Sequence, residues 1–150
     1  MYEEVLNKMR RYCAYQERCH EEVRTKILSM KVYGDTLERV MDALIQEDFL
    51  NEERFAIAYA GGKFRMKKWG RLKILRELQL RKISTYCINK AMKEITDEAY
   101  EKTLKQLIRQ ARKSYSTYNT FEQNHKVSKY LIAKGYEPAL VWQYLGKDDH

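Results

Sequence analysis

Pro138 is the only proline in 150 residues, and just six glycines accompany it. This scarcity of backbone breakers constrains the fold more than any motif does. A sandwich or barrel of short strands needs turn residues every ~8–12 positions, and they are not here. Long regular elements are what such a chain can form. Lys, Arg, Glu, Gln, Leu, Met and Ala, which lose little rotamer freedom in a helix, are abundant. With 44% hydrophobic and 33% charged residues, the profile is that of a soluble globular chain.

The apolar residues recur at helical spacing. Val5, Met9, Tyr12 and Tyr15 follow the i, i+4, i+7 rule, with Leu6 and Cys13 widening the stripe. Val23, Ile27 and Met30 mark a second helix, which Gly34 is expected to stop. Asp35 and Glu38 fit a capping box opening a third, through Leu37, Val40, Met41 and Leu44. The pattern then restarts. Asn51 can cap a helix begun by Glu52 and Glu53, which suit the positive end of the helix dipole. Gly61-Gly62 should weaken it and Trp69-Gly70 should end it. A helix over about 71–82 turns Ile74, Leu75 and Leu78 inward, and Ser84 caps the next, with Cys87, Ile88, Ala91 and Ile95. In a third round Thr96 caps a long helix with Leu104, Leu107, Ile108, Ala111 and Tyr115 on one face. Thr120 and Gln123 form another capping box, Gly135 ends that helix, and Pro138 suits the first turn of the last. Asp148-Asp149-His150 is a charged tail expected to fray.

The restarts fall at Glu3, Glu52 and Glu98, 49 and 46 residues apart. Arg24-Thr25-Lys26-Ile27-Leu28 is echoed by Arg71-Leu72-Lys73-Ile74-Leu75. Self-similarity at this period is the mark of stacked helical units. The expected fold is therefore all-α, an elongated, curved array of three tandem three-helix repeats over residues 1–50, 51–95 and 96–150. A unit this small has a thin core, so neighbours should share burial.

Net charge is +8. From Gly61 to Lys82, nine basic residues stand against one acid, Glu77, while the rest of the chain balances at twenty of each sign. Such a block suits a polyanion or an acidic protein; a merely solvated helix face is the plain alternative, at even weight. The residues assigned to partner or DNA contact are Lys63, Arg65, Lys67, Lys68, Arg71, Lys73, Arg76 and Lys82, with Lys102, Lys105, Arg109 and Arg112 on the polar face of the long third-round helix. Trp69 could stack a base among its basic neighbours, although a Trp beside a Gly at a helix junction is more often core or hinge. Tyr12, Tyr15, Tyr59, Tyr115 and Tyr130 lie on apolar stripes and are expected in the core.

No catalytic constellation emerges. Cys13, Cys19 and His20 lack zinc spacing and a second half. Gly61-Gly62-Lys63 lacks the rest of a phosphate loop, and neither G-x-S-x-G nor H-E-x-x-H occurs. Glu52 and Glu53 are adjacent and do not share a helix face. No metal or cofactor is expected. Three cysteines are too few and odd for a disulfide framework. Met1-Tyr2-Glu3-Glu4 is no signal peptide, and no apolar run approaches the ~20 residues that span a bilayer. A cytoplasmic protein without membrane attachment is expected.

The segment Phe49-Leu50-Asn51-Glu52-Glu53-Arg54-Phe55-Ala56 resembles the F-L-[DN]-[DE]-x-R-[FY]-A signature of the RecX family. Lys63-Phe64-Arg65, Trp69-Gly70-Arg71 and Lys73-Ile74 are similar to the basic stretch that follows it, with Leu78 and Ile83 at matching positions. Arg11 to Arg18, with Glu22, Val23, Arg24, Lys26 and Leu28, resembles the family's first repeat. The resemblance implies tandem three-helix repeats and no enzymatic activity. It implies a partner, the RecA recombinase and its filament on single-stranded DNA, whose strand exchange and ATP hydrolysis the family dampens, and hence a role in recombination, DNA repair and the SOS response. A monomer with weak direct DNA binding is expected. Phe49, Leu50, Phe55, Ile74, Leu78 and Ile83 then belong to the core, while Arg54 is either a structural ion pair or a contact residue. The competing readings are a stand-alone basic DNA-binding module and an adaptor for another acidic protein.

Overall fold

The computed structural model describes residues 1–147, so the Asp148-Asp149-His150 tail lies outside the described residues. Among these residues there are nine α-helices and no strands. The helices are α1 (Tyr2–Tyr15), α2 (His20–Ser29), α3 (Gly34–Gln46), α4 (Glu52–Gly62), α5 (Arg71–Leu80), α6 (Thr85–Met92), α7 (Asp97–Ser114), α8 (Thr120–Ala133) and α9 (Pro138–Lys147), with a π-helical turn over Lys63–Lys67 after α4. The all-α array of three-helix repeats is the observed fold. None of its helices is long and apolar enough to cross a membrane, among the described residues.

The chain divides into two compact units. Unit 1 comprises Met1–Tyr59 and Leu78–Ala91; unit 2 comprises Ala60–Glu77 and Met92–His150. In unit 1, α1, α2 and α3 pack on one another around Leu6, Met9, Val23, Ile27, Val40 and Leu44. Leu50, Phe55, Leu78 and Ile83 are buried as expected, and Phe49 is partly buried. Cys13, Cys19 and Cys87 are buried free thiols. In unit 2, α7, α8 and α9 pack around Tyr100, Leu104, Ile108, Leu131, Tyr136 and Leu145, with Ile74 of α5 also fully buried.

Helix starts follow side-chain chemistry. Asn51 accepts from the Arg54 N–H at 2.9 Å, Ser84 from Cys87 at 3.3 Å and Thr96 from Ala99 at 3.2 Å, each satisfying an otherwise orphaned helical donor. Two starts differ from expectation. Asn119, not Thr120, caps α8, accepting from the Glu122 N–H at 2.8 Å. Gln123 instead donates to the carbonyls of Tyr115, at 3.1 Å, and Arg112. Asp35 is not the N-cap, because α3 begins one residue earlier at Gly34, after an extended Tyr33.

Helix stops explain how so few glycines suffice. Lys31, Asp48, Lys68 and Lys82 all adopt left-handed backbone, with φ from 59° to 62°. Lys31 therefore stops α2, and Gly34, at φ +58°, serves the entry to α3 instead. Asp48 and Lys82 close α3 and α5 with reverse bonds, Phe49 N–H to the Leu44 carbonyl and Ile83 N–H to the Leu78 carbonyl, the usual left-handed helix terminus. Gly135, at φ +107°, ends α8 as expected.

Candidate interaction surface

Unit 2 holds eleven of the twelve basic candidates; Lys82 alone lies in unit 1. Over their full sequence ranges, unit 1 has twelve basic and twelve acidic residues, whereas unit 2 has seventeen against nine. The whole net charge thus belongs to unit 2. The acidic residues of unit 1 are partly taken up within it, as in the Arg10–Glu47 pair at 2.8 Å and the Lys82–Glu21 pair at 3.6 Å.

The basic block begins on the π-helical turn. Such turns are rare and found frequently at functional sites. Here the extra residue swings Arg65, Met66 and Lys67 outward, all three exposed. Lys68 ends the turn, and its ammonium reaches the Arg65 carbonyl at 3.2 Å. Gly61 lets the Arg65 guanidinium fold back over the chain: a Cβ there would stand 2.7 Å from Nη1. Trp69 is half-buried, with Lys63 and Lys73 above its ring at 5.0 and 4.5 Å from the centroid. The indole is thus a platform for two cations of its own chain, and it spaces them.

The start of α5 is pinned within unit 2. Gly70 donates to the Lys134 carbonyl at 2.9 Å and Leu72 to the Gly135 carbonyl at 3.0 Å. The backbones approach so closely that a Cβ on Gly70 would meet the Gly135 carbonyl carbon at 2.2 Å. Below this contact Tyr136 stacks on Tyr100, centroids 5.1 Å apart, and donates to the Lys68 carbonyl at 2.9 Å. The Tyr100 hydroxyl donates to Glu137 and accepts from the Arg71 N–H at 3.0 Å. Burial and the Glu137 carboxylate push the Tyr100 phenol far above its ordinary range.

This anchoring sorts the candidates. Arg71 is not a projecting contact: its guanidinium donates to the Ile95 carbonyl and to Asp97, both at 2.9 Å, and lies 4.2 Å from the Tyr100 ring centroid. Arg112 likewise donates to the Leu145 carbonyl at 3.0 Å, tying α7 to α9. Both are half-buried and engaged within the unit. Arg65, Lys67 and Arg76 are exposed, as are Lys102, Lys105 and Arg109 along α7. Arg54 is structural: it donates to Glu17 at 2.9 Å and Asp48 at 3.0 Å in unit 1.

The aromatic residues divide differently from expectation. Tyr15 and Tyr130, expected in the core, are 83% and 42% exposed, whereas Tyr100, Tyr136 and Tyr144 are buried. Tyr12, Tyr59 and Tyr115 are intermediate. One signal could have marked Tyr130. Lys126 and Lys134 lie four residues to either side, so the tyrosine shares their solvent-facing stripe.

Chemical reactivity is muted in unit 1. A pocket of about 490 Å³ is bordered by Cys19, Glu21, Glu22 and Arg81. Burial pushes the Cys19 thiol up to about 11, so at neutral pH it is protonated and a poor nucleophile or metal ligand. No group of three His, Cys, Asp or Glu side chains is placed to hold a metal ion among the described residues.

Two family models match the chain. That described as RecX, second three-helix domain, covers residues 51–92, and that described as RecX, third three-helix domain, covers residues 98–145. Relatives named Regulatory protein RecX include one from Bacillus cereus (strain B4264), 22% identical over 130 residues, which are 87% of this chain and 48% of the relative. Another, from Bacillus anthracis (strain A0248), is 25% identical with the same coverage. The chain spans about half the length of these curated relatives. Among solved structures, the crystal structure of RecX from Lactobacillus salivarius superimposes with a TM-score of 0.84 at 22% identity, covering 97% of this chain and 96% of that one. A second, the crystal structure of a regulatory protein RecX, gives 0.86 at 18% identity, covering 97% and 71%.

Proposed function

The chain belongs to the RecX family, and from that premise we propose that it is a non-enzymatic regulator that binds the RecA recombinase on its single-stranded-DNA filament and inhibits strand exchange and ATP hydrolysis. The observation that supports a binding role most directly is the assignment of the entire net charge of +8 to unit 2. A nucleoprotein filament presents phosphates and acidic protein surface together, and a concentrated basic field raises the association rate with such a target. We assign the contact to Lys63, Arg65, Lys67, Lys68, Lys73 and Arg76 around the π-helical turn and α5, and to Lys102, Lys105 and Arg109 on α7. Arg71 and Arg112 shape this surface and do not touch the partner. The protein would act in the cytoplasm, as a monomer, in recombinational DNA repair and the SOS response.

The experiment is a filament-dependence titration. Labelled protein is mixed with bare single-stranded DNA and with the same DNA coated by the cognate RecA. The proposal expects much tighter binding to the filament. Equal or weaker binding to the filament would contradict it and favour a stand-alone DNA-binding module, the second reading that the charge of unit 2 supports. That module would bind bare DNA with an affinity falling steeply as salt rises.

A further inference from the structure

The α7–α8 side of unit 2 has a pocket of about 280 Å³ lined by Leu107, Gln110, Ala111, Ser114, Tyr115 and Tyr130. Its volume is slightly below that of sites for drug-sized ligands, so it suits one flat ring system. Its wall chemistry is selective. Two phenol rings and two aliphatic side chains offer apolar surface, and the Gln110 amide and Ser114 hydroxyl offer hydrogen-bonding groups at its edge. Tyr130 is 42% exposed, which leaves part of its ring for a ligand.

The surroundings suit a polyanion. Between Arg109 and Lys134 six basic residues stand against one acid, Glu122. Arg109 and Lys113 immediately precede the pocket residues Gln110 and Ser114 on α7, and Lys126 of α8 and Lys134 just past its end lie four residues to either side of Tyr130. The Lys134 ammonium stands 5.7 Å from the Tyr130 ring centroid. Nearby on the chain, Phe121 is 82% exposed and Tyr118 41%, with the Lys126 ammonium 4.7 Å from the Tyr118 ring. Exposed aromatic rings interleaved with cations form the platform on which unstacked bases of a single strand lie while their phosphates meet the positive charges. An acidic peptide would use the cations but leave the aromatic slot unexplained. A duplex keeps its bases stacked and cannot offer one to the slot.

We infer that this pocket holds one unpaired nucleobase of single-stranded nucleic acid, stacked on Tyr130 and bordered by Tyr115, with Arg109, Lys113, Lys126 and Lys134 on the adjoining phosphates. The site gives the third repeat a direct hold on a single strand that requires no recombinase. It deepens the preceding reading by giving a base of the strand, and not only its phosphates, a place on the protein, and it stands on the pocket and the cations around it.

The test uses the full chain and two fluorescent probes of equal length and charge: oligo-dT and an abasic strand that retains every phosphate but no base. Anisotropy titrations at low salt should show oligo-dT binding roughly tenfold tighter, within the range that one stacked base contributes. Tyr130→Ala should bring oligo-dT down to the abasic affinity and leave the abasic affinity unchanged, and Tyr130→Phe should restore the difference. Lys134→Ala should weaken both probes alike. Circular dichroism melting of each variant checks that the helices are intact. Equal affinity for the two probes in the unmodified protein would overturn the base slot, leaving phosphate contact alone. Equal loss on both probes in Tyr130→Ala would overturn it too. Absence of binding to either probe would turn the basic face over to a protein partner. RecA ATPase inhibition, measured on the same variants, separates the two readings: inhibition without base preference retains only the first, and base preference without inhibition only the second.

Discussion

At Gly70 the chain has no room for even one methyl group, because the Gly135 carbonyl carbon would lie 2.2 Å from it. The obstacle is backbone and cannot rotate away. Gly70→Ala should therefore cost at least about 3 kcal/mol, the upper end of overpacking penalties, read as a lowered urea midpoint. The two kinds of arginine separate in the same assay. Arg71→Ala removes charged hydrogen bonds to the Ile95 carbonyl and Asp97 and should cost about 2 kcal/mol. Exposed Arg76→Ala should stay within about 0.5 kcal/mol while weakening filament binding. The sequence assigned the same role to both arginines. Nothing local to position 71 announces that Asp97 and Tyr100, 26 and 29 residues away, will receive its side chain. Arg54, by contrast, was open between pair and contact, and Glu17 and Asp48 decide for the pair.

Two buried thiols add a pH signature. Burial raises Cys13 and Cys19 from 9.0 to about 11. As pH rises past 9, unfolded thiols ionise while folded ones remain protonated. The unfolded state then binds fewer protons, so stability falls between pH 9 and about 11 and these groups do not affect it below. Replacing both cysteines with alanine should flatten that part of the urea-midpoint profile. An unchanged slope would place its cause elsewhere.

At the scale of the element, helix starts were more legible than helix stops. Asn51, Ser84 and Thr96 cap as their side-chain chemistry requires. The miss at α8 is one residue, because Asn119 and Thr120 are adjacent and both can cap. Asn119→Ala should cost about 1 kcal/mol and Thr120→Ala much less, in thermal melts of the two variants. Stops were harder to read because Lys31, Asp48, Lys68 and Lys82 take the left-handed conformation that composition associates with glycine. That conformation costs a side chain ~1–2 kcal/mol. Lys82→Gly should thus stabilise by about 1 kcal/mol, since its 76%-exposed ion pair with Glu21 contributes little. A destabilised Lys82→Gly would contradict the left-handed assignment. The π-helical turn had no signal beyond Gly61-Gly62, which suggested weakness in a helix and not an inserted residue.

At the scale of the molecule, periodicity was sufficient for the all-α repeat fold even in the third round, where Leu104, Ile108, Leu131 and Leu145 proved fully buried. Charge was half legible. The run from Gly61 to Lys82 reads as one block in the sequence, but the boundary after Glu77 assigns Lys82 to a unit with no net charge. Compactness is set by contacts distant in sequence, such as Gly70 with Gly135, which a linear count cannot see. The neutrality of unit 1 and the charge of unit 2 also predict where salt should act. Charge-neutralising substitutions at Arg65, Lys67 and Arg76 should lower the salt dependence of partner binding, whereas Lys82→Ala should leave it nearly unchanged.

Regulation of a recombinase filament would be read in the DNA-stimulated ATPase rate of the cognate RecA. The protein is added at well below one copy per RecA monomer. Strong inhibition at that ratio is the predicted result, because action on a filament reaches many subunits through few contacts. An unchanged rate, even with excess protein at low salt, would contradict the account and leave a basic helical module whose target is not the filament.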